Sequence, residues 1–149
     1  MTTLVKICGL MTPAALDAAL DAGADMVGFV FFPPSPRNLA YETARALGER
    51  VKGRAQKVAL TVDADNATIA ALMEALRPDI LQFHGKEHPD RLIAIYKEYR
   101  VPIMKAIGVS AAADLTAIDR YDLGAQRILF DAKPPKEATR PGGNGLAFD

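Results

Sequence analysis

Short apolar runs alternate along this chain with stretches whose apolar residues recur at three- and four-residue spacing. The apolar runs fall at 4–9, 26–31, 57–62, 80–84, 103–109 and 127–132 and predict six β-strands. Between them, Thr12-Pro13 supplies an N-cap followed by proline at the first helical position. Ala15, Leu16, Ala19 and Leu20 form that helix's inward stripe, and Gly23 stops it. A second helix is predicted over 41–51, with a weak start because Ala40 caps poorly. Asp65 caps a third, carrying Ile69, Leu72, Met73 and Leu76 inward and ending at Arg77-Pro78. His88-Pro89 opens a fourth with Leu92, Ile93 and Tyr96 inward, and Ser110 is expected to cap a fifth carrying Leu115 and Ile118. The segment "FPPSPRNL" at 32–39 holds three prolines and reads as a loop, as does the Pro- and Gly-rich stretch after residue 132.

Strand–helix units repeating at roughly 25-residue spacing imply parallel strands joined by right-handed crossovers. No domain boundary, shorter repeat or low-complexity segment interrupts them. Two α/β architectures fit: an open doubly wound sheet and a (βα)8, or TIM, barrel. Strand count favours the open sheet, but the polar residues inside the strands favour the barrel. Side chains alternate along a strand, so Lys6 and Cys8 share a face, as do Gln82 and His84, and Arg127, Leu129 and Asp131. A doubly wound sheet buries both faces under apolar helices, where such groups are costly, whereas a barrel interior accepts them near its open end. The expected fold is therefore of TIM-barrel type, with about six βα units present. The first β–α turn, "CGLMTP", carries neither of the glycine patterns that cradle nucleotide phosphates.

Composition narrows the partners. The 149 residues carry 18 Lys plus Arg against 18 Asp plus Glu, which gives no electrostatic footprint for nucleic acid or an anionic membrane. One cysteine forms no internal disulfide, and no apolar run reaches the ~18 residues a membrane span requires. The first strand starts too early to leave room for a signal peptide. A cytoplasmic protein is expected.

In parallel α/β folds ligands meet the carboxyl ends of the strands. Cys8, His84 and Asp131 lie at such ends, and Arg37 lies in the loop just beyond the second strand. Each also has a purely structural reading. Cys8 can be a packing thiol, Asp131 a loop cap, His84 a hydrogen-bonded core imidazole and Arg37 a solvated cation. "PGGNG", which contains Gly143, can be an anion-binding nest or a flexible lid.

Several segments together carry a family likeness: "KICGL" at 6–10, "GADMVGFVFFPPSPRNL" at 23–39, "LQFHG" at 81–85, "KAI" at 105–107, "LFDA" at 129–132 and "GGNGLAFD" at 142–149. In these motifs the chain resembles the phosphoribosylanthranilate isomerases of tryptophan biosynthesis. The resemblance implies a (βα)8 barrel that converts N-(5-phosphoribosyl)anthranilate to the deoxyribulose phosphate by an Amadori rearrangement. It implies no cofactor or metal and a phosphorylated small molecule as substrate, in a monomer or homodimer. By motif, Cys8 matches the general base, Asp131 the general acid, and Arg37 the arginine that meets the anthranilate carboxylate. Lys6, His84 and Gly143 are further candidates for holding substrate, with Lys6 expected to favour the thiolate form of Cys8. The family has eight strands, so the chain is expected to lack strands 7 and 8 and their phosphate site, and to be weakly active or inactive alone. Two rival readings are another phosphosugar-binding barrel, such as indole-glycerol-phosphate synthase, and a non-catalytic doubly wound binding module.

Overall fold

The structure, a computed structural model, describes residues 3–133. Gly143 and the "GGNGLAFD" motif lie outside the described residues. The elements run β1 (Lys6–Cys8), α1 (Pro13–Asp21), β2 (Met26–Phe31), α2 (Tyr41–Val51), β3 (Gln56–Thr61), α3 (Asn66–Leu76), β4 (Ile80–Phe83), α4 (Pro89–Tyr99), β5 (Ile103–Val109), a 3-10 helix (Ala112–Arg120) and β6 (Arg127–Ala132). Local chemistry sets the helix ends. The Thr12 hydroxyl accepts from Ala15 N, the Asp65 carboxylate from Thr68 N, and His88 Nδ1 from Asp90 N. Arg77 and Arg100 close α3 and α4 in the left-handed conformation.

The six strands are all parallel and pair in chain order, β1-β2-β3-β4-β5-β6. A doubly wound sheet reverses direction at a switch point, as in orders such as 2-1-3. No such reversal occurs here, so the binding-module reading falls with its architecture. Sequential pairing leaves the helices on one face. Val27, Phe29, Phe31, Ala59, Leu81, Phe83 and Ile103 pack there against helix residues such as Leu16, Leu47, Ile69, Leu72 and Leu92.

The opposite face is an interior. Met26, Val58, Ile80, Met104 and Leu129, from β2 through β6, form one cluster there. Arg127 Nη1 of β6 lies 3.2 Å from Met26 Sδ of β2. Those strands are four pairing steps apart, roughly 19 Å in a flat sheet. Contact across that span requires a sheet curled around its polar-bearing face, as in a TIM barrel. The register-setting contacts at the amino ends recur. Asp25 N donates to Val5 O while its carboxylate accepts from Val5 N. Asp79 does the same with Lys57, and Gln126 with Ile103. Each even strand is thus locked to the odd strand before it by a two-point clamp.

Two sequence expectations change. Ser110 does not cap an α-helix. The Asp114 carboxylate accepts from Ser110 N and Ala111 N, and the segment winds as a 3-10 helix with no buried residue. In α4 the fully buried positions are Leu92 and Ile95, while Ile93 and Tyr96 are half-buried.

Candidate active site

Cys8 ends β1 on the interior face, opposite Gly28 in the register with β2. A Cβ on Gly28 would stand 2.8 Å from Cys8 Sγ and 3.2 Å from its Cα. The bare glycine therefore lets the half-buried thiol lie over β2. Substituting Gly28 by Ala should displace the sulfur. Its backbone is not in the left-handed region, so the expected result is a folded protein whose single thiol reacts with a maleimide at a changed rate.

Gly9 follows with φ +78°, a conformation side chains rarely adopt. Its missing Cβ leaves the space through which the Arg37 side chain runs, so a Cβ there would overlap Arg37 Cδ. Arg37 is carried by two turns, with Ser35 N on Phe32 O and Asn38 N on Ser35 O. The loop then returns beside β2, where Leu39 N donates to Val30 O and Leu39 is buried. Arg37 N also donates to Ser35 Oγ. The prolines and these turns hold the guanidinium-bearing side chain against the residue next to Cys8. Lys6 lies on the Cys8 face, one pleat nearer the amino end. Among the described residues its ammonium forms no ion pair or hydrogen bond.

His84 and Asp131 meet. His84 stands one residue beyond β4, its N–H continuing the ladder onto Thr61 O. Its Nε2 is 3.2 Å from Asp131 Oδ2, while Asp131 Oδ1 accepts from Ala132 N. Burial lowers the His84 pKa, the Asp131 charge opposes that shift and the Lys105 charge adds to it, and the net direction is down. The folded ring is thus less basic than the unfolded one. Below about pH 6.5 the unfolded chain binds the extra proton, so this group makes stability fall as pH drops through that window. Urea midpoints measured between pH 5.5 and 7.5 should change less steeply in His84→Gln than in the unsubstituted protein.

The structure brings His84 to Asp131, and Arg37 to the residue after Cys8. These groups stand at the carboxyl ends of β1, β2, β4 and β6, and Cys8, His84 and Asp131 share the interior face. Sequence reasoning missed the structure beneath His84. Lys105 and Glu87 form a buried ion pair at 2.8 Å, their side chains 2 % and 1 % exposed. Lys105 Nζ also donates to Gly85 O at 2.6 Å and Phe83 O at 3.4 Å, the carbonyls on either side of His84. Glu87 Oε1 accepts from Asp63 N and Gly85 N. The signal was available in the alternation of β5, where Lys105 shares the helix-facing side with Ile103 and Ile107. Among the described residues no cluster of His, Cys, Asp and Glu is suited to a metal ion, and no helix is long and apolar enough to cross a membrane.

A family model described as N-(5'phosphoribosyl)anthranilate (PRA) isomerase matches residues 5–149. The chain is 62 % identical over 149 residues to the N-(5'-phosphoribosyl)anthranilate isomerase of Nitrobacter hamburgensis. The match takes in all of this chain and 66 % of that relative. The crystal structure of the Thermotoga maritima phosphoribosyl anthranilate isomerase superposes with a TM-score of 0.80 at 31 % identity, covering 91 % of this chain and 64 % of that one. A second isomerase structure, in complex with reduced 1-(o-carboxyphenylamino)-1-deoxyribulose 5-phosphate, superposes with a TM-score of 0.78 at 30 % identity. That match covers 88 % of this chain and 66 % of the other. The chain thus spans about two thirds of the length of its relatives.

Proposed function

The chain belongs to the N-(5'-phosphoribosyl)anthranilate isomerase family, and from that premise we propose that it acts in the Amadori rearrangement of N-(5-phosphoribosyl)anthranilate to 1-(o-carboxyphenylamino)-1-deoxyribulose 5-phosphate. The supporting observation is the placement of Cys8 and Asp131 at the carboxyl ends of β1 and β6, on the interior face of one curled sheet. Asp131 is the general acid. Its proton goes to the furanose ring oxygen as the C1–O bond breaks, leaving a cationic Schiff base at C1. That cation acidifies the C2 proton, and the Cys8 thiolate removes it to give an enolamine. Protonation at C1 and loss of the C2 hydroxyl proton complete the aminoketone. An acid and a base acting from opposite sides of one sugar is the arrangement such a proton relocation needs.

Arg37 offers its planar fork to the anthranilate carboxylate, a bidentate geometry that a lysine matches poorly. Lys6 supplies positive charge on the Cys8 face, and His84 meets the carboxylate that Asp131 becomes. Gly143 is assigned to substrate binding from its motif alone. The reaction uses no cofactor or metal and takes place in the cytoplasm, in a monomer or homodimer. The purified protein is incubated with N-(5-phosphoribosyl)anthranilate and product formation is followed. Turnover above background that disappears in Asp131→Asn is the expected result. Turnover left unchanged by that substitution would refute the proposal.

A further inference from the structure

On the interior face, the acid–base scheme leaves a buried polar side chain without a task. Gln82 sits on the interior face of β4, 2 % exposed, held between Leu60 and Met104 in the strand register. Its Nε2 lies 3.4 Å from His84 Nδ1, and its Oε1 is buried without a partner among the described residues. With His84 Nε2 3.2 Å from Asp131 Oδ2, the three side chains form a continuous chain of amide, imidazole and carboxylate.

With the amide nitrogen turned to the ring, the donor inventory gives that chain one direction. An amide nitrogen only donates, so Nδ1 accepts. A neutral imidazole carries one N–H, which is then on Nε2 and points at Asp131. The opposite tautomer would set two lone pairs against each other, Nε2 against the carboxylate. From this geometry we infer that Gln82 is a positioning residue: its amide selects the Nε2–H tautomer of His84 and so keeps a neutral hydrogen-bond donor on the Asp131 carboxylate. The inference rests on the proposed role of Asp131 for its functional meaning, though not for its geometry. Once Asp131 has given its proton to the ring oxygen, the new carboxylate faces an N–H already in place.

Glutamate in the same place only accepts, and methionine does neither. The charged groups around the ring are Asp131 from β6, Lys105 from β5 and Glu87 from the loop after β4.

The chain has two histidines, which makes a direct test practical. His88, exposed at the start of α4, is an internal reference. Long-range proton–nitrogen spectra of the 15N-labelled protein at neutral pH report the tautomer of each ring. The expected result is Nε2–H at His84 in the unsubstituted protein, a shift toward Nδ1–H or the charged ring in Gln82→Glu, and a mixed population in Gln82→Met. His88 signals should be unchanged throughout. Nδ1–H in the unsubstituted protein overturns the inference even if neither variant folds. An unaltered Nε2–H signature in a natively folded variant overturns it as well. Turnover separates this from the wider reading. A tautomer change with a lowered kcat, a shifted pH profile and a nearly unchanged KM supports both. A tautomer change with no effect on kcat, where Asp131→Asn does abolish turnover, overturns the positioning role of Gln82 and leaves the wider reading standing.

Discussion

Replacing Lys105 by Met will destabilise the protein by about 3–5 kcal/mol, the usual cost of stripping one partner from a buried ion pair. The side chains are near the same length, so little packing volume is lost. What remains is the Glu87 carboxylate, 1 % exposed and deprived of its counter-ion, with only the Asp63 and Gly85 N–H groups among the described residues to solvate it. The carbonyls of Phe83 and Gly85 lose a charged donor in the same step. Tyr121, whose ring lies 5.4 Å from Lys105 Nζ, loses its cation. Urea unfolding followed by circular dichroism measures the effect. Pairing Lys105→Met with Glu87→Leu should cost clearly less than the sum of the single changes, because the stranded charge goes with its partner. A loss below about 1 kcal/mol in the single variant would show that water or another cation reaches Glu87 and that the pair is not the anchor of the β4 carboxyl end.

The same pair shows where the sequence is legible and where it is not. Local signals were strong wherever local chemistry decides. The bounds of β2, α2, β5 and β6 follow from apolar runs and helical spacing, and Thr12, Asp65 and His88 cap as their positions imply. The polar alternation in β1, β4 and β6 correctly separated an interior face from a helix-facing one. That distinction led to the curled sheet in preference to the flat one. The failures are non-local. Lys105 sits between Ile103 and Ile107 on the apolar side, and nothing within β5 announces its partner. Glu87 lies 18 residues earlier, in a loop that reads as ordinary surface. Ser110 looked like a cap because it precedes a helical pattern. Asp114 reaches back to the same N–H groups instead, and with Leu115 left exposed no apolar face draws the segment into an α-helix. At the site, the meeting of His84 and Asp131 depends on strand stagger across β5. Sequence parity gives only their shared face.

Cys8→Ala should reduce turnover by about 10²–10⁴-fold, the contribution typical of a positioned general base, with KM little changed. The two readings of this residue make opposite demands. If the sulfur only fills space, Cys8→Ser, which keeps shape and nearly keeps volume, should retain most activity. If it removes the C2 proton, Ser should fail about as badly as Ala, since a hydroxyl has no accessible anionic form at neutral pH. The second outcome is the expected one. A packing thiol is usually enclosed by apolar side chains. This one is half-buried at a strand end, over a glycine whose missing side chain makes its room and next to a glycine over which an arginine is laid. Gly28 on β2 and Gly9 just beyond β1 leave room at one corner for the sulfur and for the Arg37 side chain. Because the chain has one cysteine, iodoacetamide labelling followed by intact mass counts the modified thiol directly. Inactivation should track that single modification in time. Full activity in a quantitatively alkylated protein would remove Cys8 from the chemistry.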